Sequence, residues 1–82
     1  MRVHNVKVSH DLRPNELQTI AQNASRYRSS IQLILEEDNV VLDAKSMLGM
    51  MLRPIRCGTV IRVQTKGWDE EEALDSMCGS LE

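Results

Sequence analysis

The spacing of apolar residues changes twice in the first third of the chain. Near the start, valines stand among polar residues and predict a strand over roughly residues 2–9. After a short loop, Pro14 suits the first position of a helix, since it has no amide hydrogen to leave unpaired. Apolar residues then recur every third or fourth position, at Leu17, Ile20, Ala21 and Ala24. This pattern predicts an amphipathic helix that ends near Tyr27.

The middle of the chain predicts a β-hairpin. Alternating apolar residues at Ile31, Leu33 and Leu35 indicate a half-buried strand, and Val40, Leu42 and Ala44 form the returning strand. The polar segment 36–39 between them supplies the turn.

Two further helices flank a last strand. A short apolar helix is expected from Ser46 to about Leu52, because Pro54 cannot continue it. Residues 60–63 predict a strand that is closed by Gly67. The acidic residues 69–72 complement the N-terminal dipole of a final helix, with Trp68 expected to pack across its start as a hydrophobic staple. Its predicted buried face is Ala73, Leu74, Met77, Cys78 and Leu81.

The resulting order is β-α-β-β-α-β-α. Helices interspersed with one small sheet predict an α+β fold in two layers, in which three helices cover a four-stranded, largely antiparallel sheet. With 82 residues, we expect residues 1–82 to form a single domain.

Composition narrows the function classes. The net charge of −2 gives no general attraction to nucleic acid or to an anionic membrane. No metal-ligand cluster, nucleophile–base pair or phosphate-cradling glycine loop is visible, so we expect no stand-alone enzyme, metal or cofactor. The start of the chain lacks the apolar run of a signal peptide, and Cys57 and Cys78 lack metal spacing. A cytoplasmic protein with two free thiols is therefore the expectation.

Ser46 is the most informative residue. It follows a strand-like run directly and precedes a short apolar helix, which is the position of a helix N-cap. The free amides and dipole at such a position also favour a phosphate. The sequence therefore leaves two compatible roles open, a plain cap and a phosphorylation switch.

The apolar residues after Ser46 exceed what a short helix buries. Met47, Leu48, Met50 and Met51 occupy four of five consecutive positions, whereas a helix of two turns has one inner face. We expect Met47, Leu48 and Met51 to form an exposed patch that binds a partner protein.

Three collinear segments resemble the HPr family, the histidine-containing phosphocarrier proteins of the sugar phosphotransferase system. They are residues 22–27, residues 45–51 with the regulatory-type pattern Lys-Ser-hydrophobic-hydrophobic-Gly, and residues 67–74 with the Gly-x-Asp-Glu opening of the last helix. The resemblance spans essentially the whole chain and implies an HPr-like open-faced β-sandwich. It also implies phosphorylation of Ser46 by an HPr kinase/phosphorylase.

The family's active histidine has no counterpart at the expected place. It belongs to a Gly-hydrophobic-His-x-Arg-Pro motif, whereas residues 11–14 are Asp-Leu-Arg-Pro. Alignment on the Arg–Pro pair puts Asp11 at the histidine position, and alignment on the apolar helix face puts Arg13 there. We favour Arg13, because the other register would bury Asn15, Gln18 and Thr19.

The resemblance then implies a regulatory protein of the catabolite-repression branch, which lacks the histidine and retains the serine. Its expected partners are HPr kinase/phosphorylase, a catabolite-control transcription factor or phosphotransferase enzymes, with no direct contact to nucleic acid or membrane. We expect a monomer or weak dimer, with Arg13 as a further partner-binding residue. The alternatives are a phosphocarrier with a displaced acceptor, His10 or Asp11, and an interaction domain without phosphorylation.

Overall fold

The elements follow the predicted order. The computed structural model describes all 82 residues. The strands are β1 (Arg2–Lys7), β2 (Ser30–Leu35), β3 (Val40–Asp43) and β4 (Val60–Lys66). The helices are α1 (Pro14–Ala24), α2 (Met47–Met50) and α3 (Glu70–Leu81). The predicted α+β class and four-stranded sheet are confirmed.

One antiparallel sheet organises the molecule, with strands in the order β1-β4-β2-β3. The last strand in the sequence, β4, therefore lies inside the sheet, and β1 and β3 form its edges. Helix α3 packs over β1 and β4 and beside α1, while α2 contacts α1 and β3. The N-termini of α1 and α2, called their entrances below, therefore lie in the helical layer.

The core is aliphatic, as the lack of phenylalanine requires. It contains the predicted face of α1, the inward residues of all four strands, and Ala73, Met77 and Leu81 of α3. Leu74 and Cys78 are only partly buried at its margin. Both cysteines are free, and burial raises the pKa of the Cys78 thiol.

Three element ends differ from the predictions. Strand β1 ends at Lys7 rather than near residue 9. The Val8 amide still donates a hydrogen bond of 2.9 Å to the carbonyl of Thr59, the residue before β4. Helix α1 stops at Ala24 rather than near Tyr27, because the Tyr27 amide bonds the Ala24 carbonyl and tightens the last turn. In the same way, the Leu52 amide bonds Gly49 and ends α2 early.

Trp68 does not act as a hydrophobic staple, so that prediction is wrong. Its side chain is 86% exposed, and the Arg28 guanidinium carbon lies 5.9 Å from its ring centroid. The residue that a staple would contact is Ala73, which is fully buried on the inner face of α3 and offers only a methyl group. Trp68 therefore has no large apolar side chain to pack against at the start of the helix.

Gly67 marks a close contact between the β4–α3 turn and the turn before β2. Its φ is +149°, and an added Cβ would lie 2.7 Å from both Cα and Oγ of Ser29. We expect Gly67→Ala to lower the free energy of unfolding by roughly 1–3 kcal/mol through steric and backbone strain. Urea denaturation measures this loss against Gly79→Ala, whose Cβ meets nothing within 4 Å. Equal denaturation midpoints for the two variants would contradict it.

Candidate functional site

The entrance to α1 brings a cation and a carboxylate together. Arg13 is the N-cap residue, with extended backbone, and stands directly before Pro14. Its side chain is exposed and forms no ion pair. A guanidinium has no acceptor for the free amides of the first turn. Glu16 instead completes the helix start, because its Oε1 accepts a hydrogen bond from the Arg13 amide at 3.3 Å.

His10 is held on both sides of its ring. Its Nε2 is hydrogen-bonded to Oε2 of Glu16, and its Nδ1 lies 3.1 Å from Oγ of Ser9. The bond with His10, followed by the Arg13 amide, lowers the pKa of Glu16 below its ordinary value of 4.5. At neutral pH, Glu16 is therefore a fixed negative charge at the α1 N-terminus, where the helix dipole favours it.

Asp11 has a structural partner of its own. Its Oδ1 accepts a hydrogen bond from the Cys57 amide at 2.7 Å, and the Cys57 thiol donates to the Ser9 carbonyl at 3.3 Å. These bonds fix the loop before β4 to the loop before α1. An open depression of about 490 Å³ results, lined by Ser9, His10, Asp11, Arg13, Glu16 and Cys57.

Ser46 is the N-cap of α2, as its local sequence predicts. Its Oγ accepts a hydrogen bond from the Gly49 amide at 3.0 Å, and its side chain is half-buried. The preceding turn is tightly held, because the Lys45 amide bonds a carboxylate oxygen of Asp43 at 2.9 Å and the Lys45 ammonium bonds the Tyr27 carbonyl at 2.8 Å. The hydroxyl therefore has a defined position at the start of the helix.

An apolar surface follows Ser46, although its membership differs from the prediction. Leu48 and Leu52 are each 78% exposed and Met51 is 49% exposed. Met50 is fully buried, and Met47 is half-buried against the core because it lies on the inner side of this short helix. We call Leu48, Met51 and Leu52 the α2 patch.

Sequence reasoning missed Glu16, the residue that links most of the α1 entrance. It contacts His10 through one carboxylate oxygen and caps the Arg13 amide through the other. A signal was available, because a glutamate three residues after an N-cap is the second half of a capping box. The capping box was not recognised in the sequence because its first residue is an arginine, whereas an N-cap is usually a serine, threonine, aspartate or asparagine.

The sheet order and the two helix entrances define an HPr-like open-faced β-sandwich. The chain belongs to the HPr family: residues 2–82 match the family model described as the phosphotransferase-system HPr component phosphorylation site.

Two kinds of family member are similar to this chain. The HPr-like protein Crh of Halalkalibacterium halodurans is 32% identical over 77 residues, which are 94% of this chain and 89% of that protein. The crystal structure of the phosphocarrier protein HPr from Bacillus anthracis matches with a TM-score of 0.91 at 29% identity, over 99% of this chain and 96% of the other. The chain is thus an HPr-fold protein of the phosphotransferase and catabolite-repression type.

The catabolite-repression protein Crh of Bacillus subtilis matches less closely in structure. Its crystal structure, described as an intertwined dimer with domain swapping, gives a TM-score of 0.72 at 30% identity. The match covers 93% of this chain and 83% of that one.

No helix in the structure is long and apolar enough to cross a lipid bilayer.

Proposed function

We propose that this protein is a regulatory member of the phosphotransferase and carbon catabolite control system, that it carries no phosphate on a histidine, and that phosphorylation of Ser46 controls it. One observation carries the proposal: the N-cap of α1 is Arg13, whereas the N-cap of α2 is a serine with a defined hydroxyl.

The apolar face of α1 supports Arg13 as the residue at the family's histidine position. The four predicted apolar residues of the helix are buried, and Asn15, Gln18 and Thr19 are exposed. An arginine stays protonated at neutral pH and is not a nucleophile, so it does not accept a phosphoryl group.

The surroundings of the two displaced acceptors argue against a carrier function. A phosphoryl group on Nε2 of His10 would replace the hydrogen bond to Glu16 and meet an ionised carboxylate. Asp11 already uses a carboxylate oxygen to hold the Cys57 amide. Phosphorylation of Nε2 on His10 would thus break a contact that orders the start of α1, and phosphorylation of Asp11 would change the carboxylate that holds the Cys57 amide.

Gly49 supports phosphorylation at Ser46. A Cβ at residue 49 would lie 3.1 Å from Oγ of Ser46, so the glycine keeps space open beside the hydroxyl. A phosphate there would add about 1.5 to 2 negative charges next to free helix amides, which favours it electrostatically.

The α2 patch supplies a docking surface for the proposed partners. We assign to it HPr kinase/phosphorylase and a catabolite-control transcription factor or phosphotransferase enzymes, and we propose that the half-buried Met47 and the exposed Arg13 also contribute to partner binding. Because Ser46 immediately precedes the patch, its phosphorylation would change the charge that a partner meets. A cytoplasmic monomer or weak dimer completes the proposal.

Intact-mass measurement after two separate incubations tests this function. We expect one phosphoryl increment with HPr kinase and ATP, and none with enzyme I and phosphoenolpyruvate. Ser46→Ala should abolish the first increment, whereas Ser30→Ala, at an exposed serine on β2, should leave it unchanged.

Two outcomes would contradict the proposal. An increment with phosphoenolpyruvate would restore the carrier function, and peptide mapping would then locate it on His10, Asp11 or elsewhere. No increment in either incubation would favour an interaction domain that keeps the fold without its phosphorylation.

A further inference from the structure

Trp68 and Arg28 form an exposed pair that neither the core nor the two helix entrances explain. Trp68 is the single tryptophan of the chain and is 86% exposed. The Arg28 guanidinium carbon lies 5.9 Å from its ring centroid, which is a cation–π distance. Tryptophan and arginine are both enriched among the side chains that dominate binding energy at protein interfaces.

A buried carboxylate fixes this pair in place. Asp69, which follows Trp68, accepts hydrogen bonds from the amides of Arg28 and Ser29 at 2.9 Å each, and from the Ser29 hydroxyl at 2.5 Å. The backbones that carry Trp68 and Arg28 are therefore joined at one rigid junction. Such preorganisation reduces the entropy lost when a partner binds.

An open groove of about 450 Å³ is lined by both Arg28 and Lys45. The rest of its lining includes polar residues of β2 and β3 and Val41, which is 55% exposed. Arg28 and Lys45 form no ion pair, and the Lys45 ammonium, which donates to the Tyr27 carbonyl at 2.8 Å, keeps further N–H groups that are able to donate. Asp43, the one carboxylate that lines the groove, already bonds the Lys45 amide at 2.9 Å.

The charge near the groove differs from that at the start of α3. Lys66, which lies opposite the lining residue Ser30 in the sheet, is a further exposed cation without an ion pair. By contrast, α3 begins with three glutamates, of which Glu70 and Glu71 pair with the chain N-terminus and Arg2. A negatively charged ligand is thus directed into the groove and away from α3.

We propose that the groove lined by Arg28 and Lys45, together with Trp68 beside Arg28, binds an acidic segment of a partner protein. Aspartate or glutamate side chains of the segment pair with Arg28 and Lys45, and an apolar side chain packs on Trp68. A protein segment fits better than nucleic acid, because the basic surface is short, is bounded by acidic α3, and belongs to a chain of net charge −2. This inference does not depend on phosphorylation of Ser46.

Fluorescence of the single tryptophan tests the proposal directly. The probe is a short end-capped peptide in which glutamate alternates with leucine, and its matched control has glutamine in place of glutamate. We expect a saturable change in Trp68 emission with the first peptide at low salt, weakened by added salt, and none with the second.

Matched charge variants locate the site. Arg28→Gln should raise the dissociation constant by about tenfold or more. Lys7→Gln removes one charge from an exposed, unpaired lysine on β1 and should leave it within about twofold. Trp68→Ala, followed by calorimetry, should weaken binding as Arg28→Gln does, and circular dichroism checks that each variant is folded.

Three results would overturn the proposal: equal binding of the glutamine peptide, an unchanged dissociation constant for folded Arg28→Gln, or tighter binding of a single-stranded oligothymidylate at the same salt. The last result would assign the groove to nucleic acid instead. Because the assay uses no kinase, its failure leaves the proposed role of Ser46 untouched.

Discussion

Replacing Asp69 with alanine is expected to lower the melting temperature by roughly ten degrees or more. The change removes the acceptor of three hydrogen bonds and leaves the Arg28 and Ser29 amides and the Ser29 hydroxyl without a partner at a buried junction. It also releases the turn before β2 from the turn before α3. Thermal unfolding followed by circular dichroism measures the loss.

The same carboxylate makes stability depend on acid pH. Its hydrogen bond with the Ser29 hydroxyl, reinforced by the Arg28 and Ser29 amides, lowers the pKa of Asp69 from 3.8 to about 2. Because the folded pKa is below the unfolded one, this stabilisation is complete above the unfolded value and is lost as pH falls through the folded value. Asp69→Asn should therefore flatten the decline in melting temperature between those two pH values.

Asp75→Asn is the matched control for this pH dependence. Asp75 lies on the same helix, is exposed, and forms no side-chain hydrogen bond or ion pair, so its variant should keep the wild-type slope. A wild-type slope in Asp69→Asn would contradict the assignment of the acid transition to Asp69.

Features that depend on near neighbours in sequence were predictable. The cap at Ser46 depends on an amide three residues away, and the buried face of α1 follows from helical spacing. The hairpin turn was likewise marked by its polar residues, and Asn39 there adopts a positive φ of 53°. In each case the controlling interaction lies within a short stretch of the chain.

Features that depend on contacts between distant parts of the chain were not predictable from the sequence. The carboxylate of Asp69 was expected only as part of an acidic first turn, yet it binds Ser29, which is 40 residues away. No local pattern indicates that contact, and without it the exposure of Trp68 beside Arg28 cannot be foreseen. The α2 patch shows the same limit, because the excess of apolar residues was visible in the sequence, whereas which of them face the core depends on the tertiary packing.

A histidine at the start of α1 is expected to restore acceptance of phosphate, slowly in the single variant and faster when Glu16 is also neutralised. Arg13→His would place an imidazole at the N-cap, beside the open depression and the favourable end of the helix dipole. In the single variant, the ionised Glu16 carboxylate at the same helix start would repel the phosphoryl group. Arg13→His should therefore be labelled slowly by enzyme I and phosphoenolpyruvate.

Adding Glu16→Gln should raise the initial labelling rate about tenfold or more, because the like charge is removed while an amide oxygen still caps the residue 13 amide. The control Arg13→Gln/Glu16→Gln lacks the new histidine and should stay unlabelled; label on it would assign the acceptor to His10 or another native residue. If folded Arg13→His remains unlabelled with or without Glu16→Gln, the alignment that equates Arg13 with the family's histidine is wrong. Asp11→His is then the variant expected to gain the phosphoryl group, because the alternative register puts that position in its place.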